Sequence, residues 1–134
     1  MPAAAFVLSP WGDIINFDGE SYNTRAELDF MCNLKGCEIN AERYLGNLTI
    51  KPPILSPIRQ NFNGFPSLLI QVGDHEILLS DSTRLAERVR EAEVNVTLEV
   101  WDDMWHAFQL FAGFVPEANQ AIDNIGKFIN ENIG

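Results

Sequence analysis

Ionisable side chains cluster at two points of the sequence that could together carry acid–base chemistry. The first cluster is Gly-Asp-His-Glu at residues 73–76, and the second is Asp-Asp-Met-Trp-His at residues 102–106. A carboxylate that accepts a hydrogen bond from Nδ1–H of a histidine fixes the tautomer of the ring and stabilises the imidazolium formed during acyl transfer. The two clusters offer the acid and the base of such a pair. Half-exposed loops also carry aspartate and histidine for solubility alone, so that interpretation stays open.

Each cluster directly follows a segment with the pattern of a β-strand. Ala4–Ser9 and Ser67–Val72 are nearly continuous apolar runs, which are typical of strands buried on both faces of a parallel sheet. Asn95–Trp101 is a third segment rich in β-branched residues. Catalytic groups in such sheets gather in the loops at the carboxyl ends of the strands. We therefore expect Glu76 and His106 to lie within reach of a direct or water-bridged contact.

Amphipathic helices alternate with these strands. Asp81–Ala92 and Pro116–Ile133 repeat apolar residues at helical spacing, and the second of them begins with a proline, which favours a helix start. The long link between the first two strands contains a capping-box pattern at residues 24–27 and a short predicted helix at Glu38–Leu45. This order predicts an α/β fold with about three parallel strands and crossover helices, forming a single domain over residues 1–134.

The composition excludes several classes of partner. Nineteen acidic residues against nine basic ones give a net charge of −10, and no basic patch occurs, so we expect neither nucleic-acid nor membrane partners. Cys32 and Cys37 have the spacing of neither a redox pair nor half of a zinc site, and they are predicted to be free thiols. Free thiols, together with an N-terminal segment that lacks a basic region and a long apolar run, favour a cytoplasmic protein.

Four segments of the sequence are informative together: Ser-Pro-Trp-Gly-Asp at residues 9–13, Leu-Ser-Pro at 55–57, the acid-bearing turn at 69–78 and the histidine segment at 99–106. In order and spacing they resemble segments of the bacterial hormone-sensitive-lipase-like esterases, a family of α/β-hydrolases. The resemblance covers essentially the whole chain and implies a partial α/β-hydrolase fold. It also implies that His106 is the general base of the esterase triad and that Glu76 is its acid.

Alternatives to this site assignment stay open at the level of sequence. Asp74 and Asp81 are rival acids, whereas His75 has no counterpart in the family and is interpreted as an exposed loop histidine. The acidic residues and histidines of the two clusters could also hold a divalent ion, but they lack a dedicated ligand spacing, so neither a metal nor a cofactor is expected. The aromatic run at residues 108–115 could line an acyl pocket, although core packing is the favoured interpretation.

Two motifs of the family are absent from these residues. No serine stands in a Gly-x-Ser-x-Gly nucleophile elbow, and the His-Gly-Gly-Gly type of oxyanion motif is missing. In the family both motifs belong to the N-terminal half. The chain is therefore interpreted as a truncated α/β-hydrolase that is not catalytic in isolation. The alternative is a carboxylic ester hydrolase whose serine and oxyanion hole come from a missing N-terminal segment or another chain, acting on a small ester or hydrophobic ligand.

The position of the first predicted strand indicates that the chain self-associates. The resemblance implies that Ala4–Ser9 corresponds to an interior strand of the family fold, paired on both sides. Without its outer neighbour, this strand presents a row of unpaired backbone groups, which are a template for pairing with another chain. We therefore expect a two-fold homodimer in which two such edges pair.

Overall fold

A computed structural model describes residues 1–133 and contains one sheet of three parallel strands. The strands are β1 (Ala4–Leu8), β2 (Ser67–Gly73) and β3 (Val96–Trp101), and they lie side by side in that order. The bounds differ from the predicted ones by a single residue at one end of each strand. The prediction of an α/β fold with about three parallel strands is confirmed.

Four α-helices and three short 3₁₀ turns connect and cover the strands within residues 1–133. The α-helices are α1 (Ser21–Thr24), α2 (Leu34–Leu45), α3 (Leu79–Glu91) and α4 (Pro116–Ile133), and the 3₁₀ turns are Pro53–Leu55, Pro57–Arg59 and Phe108–Phe111. None of the described helices combines the length and apolarity needed to cross a bilayer.

Helix α2 begins four residues earlier than its apolar pattern predicts. The side chain of Asn33 caps the helix by accepting a hydrogen bond from Gly36 N–H at 2.8 Å. This cap satisfies one of the amide groups that the first turn leaves without an intrahelical partner. The cap therefore adds a first turn that periodicity alone does not reveal.

Helices α3 and α4 pack on opposite faces of the central strand β2. Successive side chains of a strand point to opposite faces, and every residue of β2 after Ser67 is buried. Ile70 belongs to the cluster that α3 forms with the sheet, whereas Leu69 packs against Ile125 and Phe128 of α4. This three-layer arrangement holds the carboxyl ends of the strands, and the loops that follow them, at one edge of the sheet.

Buried carboxylates anchor the loop that follows β1. Asp13 accepts hydrogen bonds from the Ser56 hydroxyl at 2.6 Å and from Nε of Arg59 at 2.7 Å. Asp81, on α3, accepts from Gly12 N–H at 2.9 Å. Because buried carboxylates are costly unless they are hydrogen-bonded, these contacts fix the path of residues 9–13 against the rest of the fold.

Candidate active site

Backbone hydrogen bonds join the two loops that carry the ionisable clusters. Asp74 N–H donates to the Trp101 carbonyl at 3.0 Å, and His75 N–H donates to the Met104 carbonyl at 3.2 Å. In the other direction, Asp103 N–H donates to Oδ1 of Asp74 at 2.8 Å. The turn after β2 and the loop after β3 therefore behave as one structural unit.

This unit brings Glu76 and His106 into direct contact. Oε1 of Glu76 lies 3.1 Å from Nδ1 of His106, and Glu76 is completely buried. The second oxygen, Oε2, accepts hydrogen bonds from the Ser9 hydroxyl at 2.8 Å and from Gly73 N–H at 2.5 Å. Because these two donors occupy Oε2, the carboxylate presents Oε1 to the imidazole.

The carboxylate of Glu76 changes the pKa of the His106 ring. The hydrogen bond to Glu76 raises the pKa of His106 above its ordinary value, and the partial burial of the ring acts in the opposite direction without cancelling the rise. The side chain is 29% exposed. Among residues 1–133, Nδ1 makes the one hydrogen bond of the ring, so Nε2 is available to exchange a proton with a reacting group.

The rival acids named from the sequence lie elsewhere. Asp81 is buried on α3, where burial raises its pKa to about 6 and where the Tyr22 hydroxyl donates to it at 3.4 Å. Asp74 lies 3.8 Å from Nε2 of His75, whose other acidic neighbour is Asp103 at 3.4 Å. Of the three acids considered, only Glu76 contacts His106.

A buried aspartate that the sequence analysis did not identify supports the turn after β2 that carries Glu76, which we call the acid turn. Oδ2 of Asp29 accepts from Ile77 N–H at 2.8 Å, one residue beyond Glu76. Its other oxygen accepts from Met31 N–H and Cys32 N–H at 2.9 and 2.8 Å. Asp29 thus ties the link between β1 and β2 to the acid turn. No sequence pattern marked this contact, because the two partners lie 48 residues apart.

Exposed aromatic and apolar side chains surround the histidine loop. The ring of Trp105 lies 5.7 Å from that of Phe30 and 5.4 Å from that of Phe111. Leu110, Phe111 and Phe114 are 82%, 40% and 90% exposed, so the interpretation of the whole run as core is wrong for these three residues. The segment from Phe108 to Phe111 is a 3₁₀ turn, which turns only part of the run towards the core.

The described residues place neither a serine hydroxyl at His106 nor a metal cluster beside the pair. Within residues 1–133, no serine hydroxyl hydrogen-bonds to His106, and the hydroxyl of Ser9 is bonded to Glu76 instead. No group of three or more histidine, cysteine or acidic side chains in this part of the chain is placed to hold a metal ion. What the site contains is an oriented acid–base pair.

The chain is similar to known proteins of the α/β-hydrolase fold. A family model described as the alpha/beta hydrolase fold matches residues 1–110. The chain is 34% identical over 134 residues to an acetyl-hydrolase of Streptomyces hygroscopicus, covering all of this chain and 44% of that protein. It is also 34% identical over 130 residues to an esterase of Acinetobacter venetianus, covering 96% of this chain and 42% of that protein.

Solved structures give a closer match. The crystal structure of an esterase from the bacterial hormone-sensitive lipase (HSL) family superposes with a TM-score of 0.95 at 43% sequence identity. The superposition covers 100% of this chain and 45% of that esterase. The chain thus spans less than half the length of each of these proteins.

Proposed function

Because this chain belongs to the α/β-hydrolase fold family and corresponds to part of a hormone-sensitive-lipase-like esterase, we propose that it supplies the acid–base half of a carboxylic ester hydrolase. The observation that supports this most is the contact between Oε1 of Glu76 and Nδ1 of His106 at 3.1 Å. In this proposal the nucleophilic serine and the oxyanion donors come from a segment of the family fold outside these 134 residues. The 134 residues alone then turn over no ester.

The proposed reaction uses the two residues in successive roles. Nε2 of neutral His106 takes the proton of the serine hydroxyl as the serine oxygen attacks the ester carbonyl. Glu76 stabilises the resulting imidazolium through Nδ1–H. His106 then gives the proton to the departing alkoxide. In the second half of the reaction, water takes the place of the serine hydroxyl, attacks the acyl-enzyme with His106 again as the base, and releases the carboxylic acid product.

A fusion protein tests this proposal. The part of the 43%-identical esterase that this chain does not match would be joined to residues 1–134, and hydrolysis of p-nitrophenyl butyrate would be measured. We expect turnover from the fusion and none from residues 1–134 above that of their His106→Ala variant. The reason is that a nucleophile and an oxyanion hole are absent together, and loss of a triad serine alone costs about a millionfold in kcat.

The second histidine of the chain provides a matched control. In the fusion, His106→Ala should abolish turnover, whereas His75→Ala should leave it nearly unchanged, because the ring of His75 lies in the same pair of loops but pairs with Asp74 and Asp103 instead of Glu76. A folded but inactive fusion would refute the proposal. Turnover by the isolated chain that depends on His106 would also contradict it, since another nucleophile would then be at work.

The proposed ligand is a small ester or a hydrophobic molecule. The aromatic residues beside His106, with Phe30 and Phe111 72% and 40% exposed, offer an apolar surface next to the proposed base. Such a surface favours an apolar acyl or alcohol group over a charged one, and the strongly acidic chain disfavours anionic substrates.

Cys32 and Cys37 are both free, which supports the proposal of a cytoplasmic, reducing location.

We also propose that the isolated chain forms a homodimer through the outer edge of β1. In the sheet order β1-β2-β3, β1 has one neighbour within the described residues. Ser9 N–H donates to the Gln71 carbonyl, and hydrogen bonding alternates along a strand, so the N–H groups of Phe6 and Leu8 point away from β2. Two such edges, paired antiparallel, would form a continuous six-stranded sheet around a two-fold axis.

A proline placed at the outer edge tests this arrangement. Phe6→Pro removes one outward N–H and leaves the hydrogen bonds between β1 and β2 intact, because edge strands tolerate proline where the N–H faces outward. Light scattering at micromolar concentration should give twice 15.1 kDa for the wild type and 15.1 kDa for Phe6→Pro. Phe6→Thr, which keeps the N–H, should remain dimeric. A wild-type mass of 15.1 kDa would rule out the dimer.

A further inference from the structure

Ser9 occupies an unusual position at the carboxyl end of β1. It is the first residue of the Ser-Pro-Trp-Gly-Asp segment, it is 4% exposed, and its φ of +46° lies in the left-handed region. Few residues other than glycine adopt this region, and they do so mainly where the surrounding structure requires it. The backbone strain at this position suggests that the side chain has a use that glycine could not fulfil.

The hydroxyl of Ser9 connects the proposed acid to the loop of the proposed base. It donates to Oε2 of Glu76 at 2.8 Å, and it accepts from Ala107 N–H at 3.1 Å. The hydroxyl has a single proton, and an ionised carboxylate can only accept, so the two hydrogen bonds have compatible directions. Ala107 immediately follows His106 and itself has a left-handed φ of +54°.

We propose that Ser9 is a positioning residue whose hydroxyl fixes the position of the Glu76 carboxylate relative to the loop that carries His106. Its own backbone is fixed by Ser9 N–H, which donates to the Gln71 carbonyl at 2.8 Å. The sheet thus sets the position of the hydroxyl, and the hydroxyl sets both the rotation of the carboxylate and the start of the turn after His106. The proposal rests on the proposed function for its catalytic meaning, whereas the positioning itself belongs to these 134 residues.

The first test follows the ring proton of His106 by NMR in residues 1–134, without any turnover. His75→Ala serves as the background, which leaves one histidine in the chain and makes the Nδ1–H signal unambiguous. In Ser9→Ala we expect this signal to broaden through exchange with water, because the carboxylate loses one of the two donors to Oε2 and the loop loses an anchor. In the parent protein, the signal should be sharp.

Two further substitutions separate the hydroxyl from the backbone strain. Ser9→Gly relieves the strain of the left-handed φ but lacks the hydroxyl, and we expect it to lose the protected signal while melting no lower than Ser9→Ala. Ser9→Thr keeps the hydroxyl but is β-branched, and we expect it to keep the signal despite a lower melting temperature. If Ser9→Ala does not fold, Ser9→Gly decides the outcome.

The second test measures kinetics in the active fusion. Loss of the hydroxyl should lower kcat by about 10-fold to 100-fold, as expected for a misplaced acid–base pair, and should change KM by less than about twofold. Folded Ser9→Ala and Ser9→Gly variants with a protected Nδ1–H signal would overturn the proposal, and so would loss of that signal in a folded Ser9→Thr. An inactive fusion would count against the proposed function only, because the NMR test does not depend on turnover.

Discussion

Replacing Glu76 by glutamine should lower kcat of the active fusion by about four orders of magnitude, the effect of presenting the wrong histidine tautomer in a serine-hydrolase triad. The structure explains why the tautomer would be wrong. Ser9 and Gly73 both donate to Oε2, so the carboxamide introduced by Glu76→Gln would place its oxygen there and turn its NH₂ group towards His106. Nδ1 would then have to accept, the proton would sit on Nε2, and the ring could not take a proton from serine.

The pH dependence of the residual activity gives a second readout. The hydrogen bond to Glu76 raises the pKa of His106, and a general base must be neutral to act. Activity therefore rises with pH as His106 loses its proton. Removing the carboxylate removes the main cause of the raised pKa, so the acidic limb of the kcat profile should move to lower pH in Glu76→Gln.

Asp103→Asn is the matched control for this substitution. Asp103 is a carboxylate in the same loop as His106, but its side chain is 87% exposed and points to His75. Its φ of +59° is one that asparagine tolerates. We expect kcat to change by less than about threefold, since exposed ion pairs contribute little. If Glu76→Gln kept more than about a tenth of the wild-type kcat, the acid would have to be sought elsewhere, with Asp29 as the first alternative because its charge also raises the pKa of His106.

The sequence predicted the strands and the pairing of the two ionisable clusters because both follow from short-range patterns. Continuous apolar runs marked β1 and β2, and parallel strands necessarily bring their carboxyl ends to one edge of the sheet. That rule alone predicted that Glu76 and His106 lie close together, but it did not identify whether Glu76 or Asp74 is the carboxylate that contacts the histidine. The choice came from the resemblance to hormone-sensitive-lipase-like esterases, which the comparisons confirm.

The supporting contacts were not predictable because they join distant parts of the chain. Ser9 and Glu76 are separated by 67 residues, and nothing in the local pattern of either one indicates the other. The capping-box pattern at residues 24–27 was misleading for a related reason. Thr24 is the last residue of α1, and the chain after it forms turns that Asp29 and Arg25 tie to the acid turn. Tertiary hydrogen bonds decided the local conformation there.

Aromatic residues after His106 illustrate the limits of periodicity. Phe108 is completely buried, as a core interpretation requires, whereas Leu110 and Phe114 are largely exposed. Apolar spacing predicts a buried face only if the segment forms a regular helix that packs along its length. Here the run breaks into a 3₁₀ turn and a loop before α4 begins at Pro116. The apolar pattern of the run therefore does not decide which of its side chains are buried.

Gly73→Ala should destabilise the protein and separate the acid turn from the histidine loop. A Cβ atom at Gly73 would overlap the Met104 carbonyl group and lie 3.1 Å from the Trp105 nitrogen, and both of these are backbone atoms that cannot rotate away. Overpacking of this kind costs about 1–3 kcal/mol. The loss should be seen as a lower midpoint in urea unfolding of residues 1–134.

Gly126→Ala distinguishes this effect from any general response to replacing glycine. An added Cβ at Gly126, within α4, meets no atom within 4 Å, and alanine favours a helix over glycine by about 1 kcal/mol, so this variant should be more stable than the wild type. The two substitutions therefore have predicted effects of opposite sign on stability.

Because the Met104 carbonyl also accepts from His75 N–H, the shift forced by Gly73→Ala acts directly on the loop that carries His106. In the active fusion, Gly73→Ala should consequently lower kcat by about 100-fold, whereas Gly126→Ala should leave it unchanged. Equal stabilities for the two variants would show that the two loops can move apart at no cost, and the close approach at Gly73 would then have no role in aligning the acid with the base.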